Sequence, residues 1–293
     1  MVLPYRLYLS GGGICVVAHV GALMELRHHV RLSAIKEWMG VSAGALVAMC
    51  LAIGFTLEEL YDIAVRFDFA EIKEMDSLPG WILHFGVDTG ERLQKLVEAC
   101  LHVKGLSSQF TFKECQERFG VSLRIVVTDL NEAAARMYSP AETPDDPIAL
   151  AVRASMSFPY YFQPVICPRT GHHLADGAVM SNYPMFLLPK EEHPHTLSLL
   201  IRTEIVKVKE NLEELEVDQL IARPLNIALT EKTRHESQSY DAHCISIQLG
   251  TLNILDFGME EGTKKDLVER GQAAVRQYFE GRRSQIGRRK SLS

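Results

Sequence analysis

The chain has 293 residues, with 31 Lys and Arg against 37 Asp and Glu, a formal net charge of −6 at pH 7. At 47% hydrophobic and 23% charged it has the composition of a folded globular protein, which excludes the disordered and fibrous classes, and its acidic balance lacks the basic surface that nucleic acid requires as a partner. The length lies at the upper limit of a single core, roughly 250–300 residues, and reads as one domain over residues 1–281 followed by a basic tail over 282–293.

Met1 to Leu9 lacks the basic leader and cleavage site of a signal peptide, which predicts a cytoplasmic protein. Tyr5 to Leu9 is a short β-prone run that breaks at Ser10-Gly11-Gly12-Gly13, and Val16 to His29 then carries apolar residues at helical spacing. Ile35 to Met39, Gly40-Val41-Ser42-Ala43-Gly44 and the apolar Ala45 to Ile53 repeat this grammar of strand, small-residue turn and helix. Two such units predict an α/β fold with a mostly parallel central sheet covered by helices. The longest apolar run, Val41 to Phe55, is about 15 residues, short of the roughly 20 of a membrane span, and reads as a buried core helix.

Thr56-Leu57-Glu58-Glu59 has the form of a capping box ahead of an amphipathic stretch, and residues 56 to about 120 read as a helical insertion. Val121 to Thr128 is a β-branched strand ending at Asp129, Pro140 to Pro147 an acidic loop, and Ile148 to Ala154 a short helix. Strand-like pieces follow at Val165 to Cys167, His172 to Leu174 and Thr196 to Arg202, then a charged helix over Glu204 to Gln219, a last strand at Ile245 to Leu249 and a closing helix at Asp266 to Phe279. The six cysteines show no CxxC pair or metal-finger spacing and read as reduced, buried thiols.

Three patterns carry chemistry. Gly40-Val41-Ser42-Ala43-Gly44 fits a nucleophile elbow, in which Ser42 would sit on a tight strand-to-helix turn with its hydroxyl at a helix N-terminus; the alternative is a glycine-rich turn that merely packs closely. Gly11-Gly12-Gly13 can aim several backbone N–H groups at one anionic point, as an oxyanion hole requires. A nucleotide-phosphate loop is the rival, but neither a Gly-Lys-Ser/Thr ending nor Gly-x-Gly-x-x-Gly is present. Asp176-Gly177-Ala178 places a carboxylate between apolar neighbours, as an ion-pair or turn residue or as a placed base.

Taken in this order these patterns resemble the patatin-like phospholipase family. Ser10 to Leu23 is similar to the family's opening loop and helix, Gly40 to Leu46 to its elbow, Val152 to Val165 to its Ala-Ser-x-x-x-Pro segment, and Leu174 to Pro184 to its Asp-Gly-Ala segment with the following Asn182 and Pro184. The resemblance covers about residues 5–202 and implies a three-layer α/β/α fold and a Ser/Asp dyad. Ser42 would be the nucleophile, Asp176 the base, and the backbone of Gly11, Gly12 and Gly13 the oxyanion hole. It implies fatty acyl esters of phospholipids or other glycerolipids as substrates, met at a membrane or micelle surface, with no cofactor and no metal. The chain departs from the family's loop at Cys15 and Val16, where a cation and a glycine are usual.

Other readings stay open. His172, His173, His235 or His243 could complete a Ser-His-Asp triad with Asp129 or Asp176, and a lipid-binding protein that keeps the fold with little turnover is the alternative from outside enzymology. A thioester or protein substrate is a third. His19 reads as a packed or capping residue and Cys15 as a buried filler or a reactive thiol. Phe158, Tyr160, Tyr161 and Phe162 read as core or as the wall of an acyl pocket. The tail, with Arg282, Arg283, Arg288, Arg289 and Lys290 and no acid, reads as a disordered solubilising terminus or as an electrostatic tether for peripheral membrane association. The sequence leaves the oligomeric state unknown.

Overall fold

The computed structural model describes residues 4–72, 86–204, 217–239 and 244–290. Strands β1 (Arg6–Leu9), β2 (Glu37–Val41), β4 (Ser122–Asp129), β9 (Thr196–Glu204) and β10 (Cys244–Thr251) form the parallel part of an eight-stranded sheet in the order β10-β9-β1-β2-β4. Strands β5 (Ala134–Tyr138), β8 (His173–Asp176) and β7 (Val165–Ile166) extend it antiparallel. The fold is therefore mixed α/β with a mostly parallel sheet.

Side chains on the strands alternate between two cores, as the period of two demands. Leu7, Leu9, Trp38, Leu123, Ile125, Leu199 and Ile201 enter the larger one. There they meet α1 (Val17–Leu26), α2 (Ala43–Ala52), α6 (Ile148–Ser155) and α8 (Glu261–Lys290), of which α1 and α2 are apolar on nearly every side and almost wholly buried. Tyr8, Met39, Val41, Val126 and Leu200 enter the smaller one, closed by Tyr183, Met185 and Leu188 from short turns.

After β2 and α2 the chain leaves the sheet. Helix α3 (Leu57–Arg66) starts on the expected capping box: Glu59 N–H donates to Thr56 Oγ1 (3.1 Å) and Thr56 N–H to Glu59 Oε2 (2.7 Å). Helices α4 (Glu91–Val103) and α5 (Phe112–Phe119) follow. This stretch also holds β3 (Gly86–Asp88), which pairs in parallel with β6 (Tyr160–Phe162) in a separate two-stranded sheet. The buried guanidinium of Arg153 on α6 ties the two together, donating to the carbonyls of Thr89, Gly90 and Gln163.

Two expectations change. The charged helix over Glu204 to Gln219 lies mostly outside the described residues, and the helix seen there, α7, runs Val217–Gln238. The closing helix is not confined to Asp266 to Phe279: α8 begins at Glu261 and continues through the basic segment to Lys290, so through Lys290 the tail is helical backbone.

Candidate active site

Parallel sheets bind ligands outside the carboxyl ends of their strands, where the strand order reverses. In this sheet the reversal is at β1, which pairs with β2 on one edge and with the much later β9 on the other. The loops leaving β1 and β2 at that edge are Gly11-Gly12-Gly13 and the Ser42 turn.

Ser42 lies between Val41, the last residue of β2, and Ala43, the first of α2, with φ 54° and ψ −136°. A non-glycine residue in that region costs of order 1–3 kcal/mol and persists only where its surroundings hold it. Ser155 at the end of α6 does the holding: its Oγ accepts from Ser42 N–H (2.9 Å) and donates to Val126 O (2.6 Å), and it is fully buried. Gly40 is in β2 under the first turn of α2. Gly44 is in that turn, where a Cβ would stand 2.4 Å from Ser10 O and 2.5 Å from Leu9 O, so α2 can rest on the end of β1 only with glycine there.

The acid reaches Ser42 through strand β4. One edge of β4 carries β2 in parallel over Ser122–Val126 and then β8 antiparallel over Val127–Asp129, the opposite edge being taken by β5. Val41 is paired with Val126 and Asp176 with Val127, so β2 and β8 arrive from opposite directions and end against each other. Ser42 Oγ donates to Asp176 Oδ2 at 2.6 Å, and Ala178 N–H, one residue past Gly177 in the following turn, donates to Oδ1 at 2.8 Å. Asp176 is fully buried. Burial raises its pKa from 3.8 to about 7 against the downward pull of those two hydrogen bonds.

Gly11 passes so close to the serine that a Cβ on it would be 2.7 Å from Ser42 Cβ. Its N–H donates to Asn182 Oδ1 (2.8 Å), so of the three glycines expected as oxyanion donors Gly11 has its amide already engaged. Among the described residues nothing accepts from the N–H groups of Gly12 and Gly13, which line the cavity beside Ser42. The departures of this loop are built into its packing. Cys15 is fully buried, with its thiol pushed up to about 12 by burial, which makes it a packed filler and not a reactive thiol. Val16 is a wall residue of the cavity.

That cavity, about 900 Å³, holds Ser42 and Asp176 in its wall. Its lining includes the apolar Leu46, Ile72, Leu93, Met156, Phe158, Phe162, Leu255 and Phe257. It also includes the polar and charged Arg202, Thr203 and Glu204 at the end of β9, Gln248 on β10, and Arg223, Asn226, Thr230, Glu231 and Arg234 on α7. Of the aromatic cluster, Phe158 and Phe162 face the cavity and Tyr161 packs on Phe162 and Phe257 (ring centroids 4.7 and 5.7 Å), whereas Tyr160 is exposed.

Histidines are not brought to the serine among the described residues. His172 Nδ1 is 2.9 Å from Asp129, a buried acid also paired with Arg136, and His235 is exposed on α7. His173 starts β8 and His243 is outside the described residues. His19 is fully buried behind the glycine loop, its Nε2 2.9 Å from Ser10 O, and burial lowers its pKa to about 4. It is a packed residue and stays neutral. Ser155 and Asn182, which fix the elbow and the loop, had no role assigned from sequence. Both stand inside the blocks that carry the family resemblance, but nothing in their immediate neighbours marks a hydrogen-bonding task.

The profile described as patatin-like phospholipase matches residues 7–188. Over 185 residues the chain is 33% identical to uncharacterized protein R571 of Acanthamoeba polyphaga mimivirus, a stretch that is 62% of this chain and 60% of that protein, so the chain spans less than two thirds of this relative. It is 26% identical over 181 residues to probable lipid hydrolase 463L of Invertebrate iridescent virus 6, covering 61% of each. Among solved structures, VipD from Legionella pneumophila matches with a TM-score of 0.69 at 16% identity, over 96% of this chain and 67% of VipD; at that identity the likeness is one of fold.

Proposed function

Because the chain belongs to the patatin-like phospholipase family, we propose that it is a serine lipid acyl hydrolase working through a Ser42–Asp176 dyad. The observation that carries this reading is the 2.6 Å hydrogen bond from Ser42 Oγ to a buried carboxylate in the wall of a largely apolar cavity. Ser42 Oγ attacks the ester carbonyl carbon as its proton passes to Asp176 Oδ2, and the oxyanion is received by the free N–H groups of Gly12 and Gly13. As the tetrahedral intermediate collapses, the carbon–oxygen bond to the alcohol breaks and Asp176 returns the proton to the departing oxygen. Water then attacks the acyl-Ser42 ester, giving its proton to Asp176, and the fatty acid leaves with Ser42 Oγ reprotonated. A carboxyl with a pKa near 7 suits both directions of transfer, and no histidine is needed.

The apolar side chains of the lining take the acyl chain and its polar side chains, with Arg202, the head group of a phospholipid or other glycerolipid. The substrate then comes from a membrane or micelle surface to which the protein binds peripherally. A panel of defined lipids and soluble esters, presented to wild type and Ser42→Ala, tests the proposal. Fatty acid release by wild type and its loss in the variant is the expected result. Retained turnover in Ser42→Ala overturns it.

A further inference from the structure

We infer that Asn182 is a positioning residue that sets the direction of the oxyanion donors, an inference that rests on the Ser42–Asp176 reading above. Asn182 grips both polar groups of Gly11: its Oδ1 accepts from Gly11 N–H (2.8 Å) and its Nδ2 donates to Gly11 O (3.4 Å). Ser10 Oγ donates to the same carbonyl (3.1 Å) while accepting from Ile201 N–H on β9 (2.9 Å). Ser10 O is in turn held by the neutral ring of His19.

The peptide between Gly11 and Gly12 is planar and trans, so its C=O and N–H point in opposite directions. Fixing the Gly11 carbonyl toward Asn182 and Ser10 therefore turns the Gly12 N–H away from both, at a point of the cavity wall that Gly11, Gly12, Gly13, Ser42 and Asn182 share. Glycine at 11 has no side chain to resist this arrangement and is wedged between the two partners. A Cβ there would be 3.0 Å from Asn182 Oδ1 and 2.7 Å from Ser42 Cβ.

Asn182 itself is anchored from below, its carbonyl accepting from the fully buried Tyr8 hydroxyl on β1 (2.7 Å). It follows Asp176 by six residues in the turn that Ser181 and Tyr183 brace, Tyr183 N–H donating to Ser181 Oγ (3.0 Å). One short segment thus presents the base at one end and orients the oxyanion donors at the other. The dyad and the oxyanion donors share a single rigid support.

The test compares Asn182→Ala, which removes both contacts, with Asn182→Asp, which keeps the acceptor for Gly11 N–H and sets a second acceptor against Gly11 O. The probes are p-nitrophenyl butyrate and an alkyl trifluoromethyl ketone, whose hemiketal with Ser42 carries the oxyanion. Both variants should lose about 10- to 100-fold in kcat with KM within twofold, since a misaligned donor costs part of the 10²–10³ of a deleted one. The ketone's inhibition constant should rise by the same factor, and the pH midpoint belonging to Asp176 should stay in place. A kcat within twofold of wild type in the variants overturns the inference, as does a fall in kcat that leaves ketone affinity untouched. Ser10→Ala, which removes one hydrogen bond to the Gly11 carbonyl and the acceptor of the Ile201 N–H, should shift kcat and ketone affinity in the same proportion, and it supplies the measurement if the Asn182 variants do not fold. Failure of the underlying reading is seen separately, as unchanged turnover in Ser42→Ala.

Discussion

Asp176 is the residue at which catalysis and stability pull apart. Its pKa is raised from 3.8 to about 7 by burial, so the folded chain holds that proton more tightly than the unfolded chain does. The sign follows from linkage: its contribution to stability is complete below about pH 4 and is lost as the pH rises to about 7, by at most about 4 kcal/mol. Ionisation is nonetheless what a base requires, so kcat/KM should climb through a midpoint near pH 7 and level off above it. Asp176→Asn cannot ionise. It should lose about 10²–10⁴-fold in kcat, yet melt at a higher temperature than wild type at pH 8 and at the same temperature at pH 4. Thermal unfolding at the two pH values checks this, and a difference in Tm that does not vary with pH would count against a buried, strained charge.

Among the elements, those that bear the chemistry were the ones most legible in the sequence. Strand β1 with its glycine loop and strand β2 with its elbow each pair a short apolar run with small residues and an apolar helix, a pattern that local propensity alone sets. The meeting of Ser42 with Asp176 was not legible as geometry. It depends on β2 and β8 ending against each other along one edge of β4, a pairing between residues far apart in the chain. Strand β5 went unread because Ala134-Ala135-Arg136-Met137-Tyr138 has little β-branching and gains its strand character from β4. The small β3–β6 sheet is three residues deep on each side and begins at Tyr160, which adopts φ 68° directly after Pro159; such pieces have no period to detect. Helix α7 carries Pro224 within it, which argues against a helix on propensity. Asn182 and Ser155 each act through two hydrogen bonds to backbone groups, and that kind of role leaves no trace in the spacing of residue types.

On the scale of the whole molecule, the sheet sets one rim of strand ends against a cavity lined by both apolar and polar side chains. No helix among the described residues is long and apolar enough to cross a membrane, so on the reading proposed here lipid is approached from the surface. Helix α8 then gains a second meaning. It packs along α1 and runs on as helical backbone to Lys290. Residues 282–293 carry five cationic side chains and no acidic one, in a protein whose net charge is −6. Each cation near an anionic leaflet contributes about 1 kcal/mol at low salt. Deleting residues 282–293 should weaken binding to phosphatidylserine-containing vesicles at low ionic strength and leave hydrolysis of a soluble short-chain ester unchanged; a sedimentation assay with and without the segment measures it, and equal binding removes the tether.

The central claim is that Ser42 is a nucleophile activated by Asp176 without a histidine. It is tested most directly by mapping the site of a serine-reactive fluorophosphonate by peptide mass spectrometry, in wild type and in Asp176→Asn, His172→Ala and His243→Ala. The account predicts one adduct, on the peptide containing Ser42, formed at wild-type rate in both histidine variants and slowed at least about 10²-fold in Asp176→Asn. An adduct on another serine, or labelling of Ser42 that survives loss of Asp176 and disappears with His243, would contradict it.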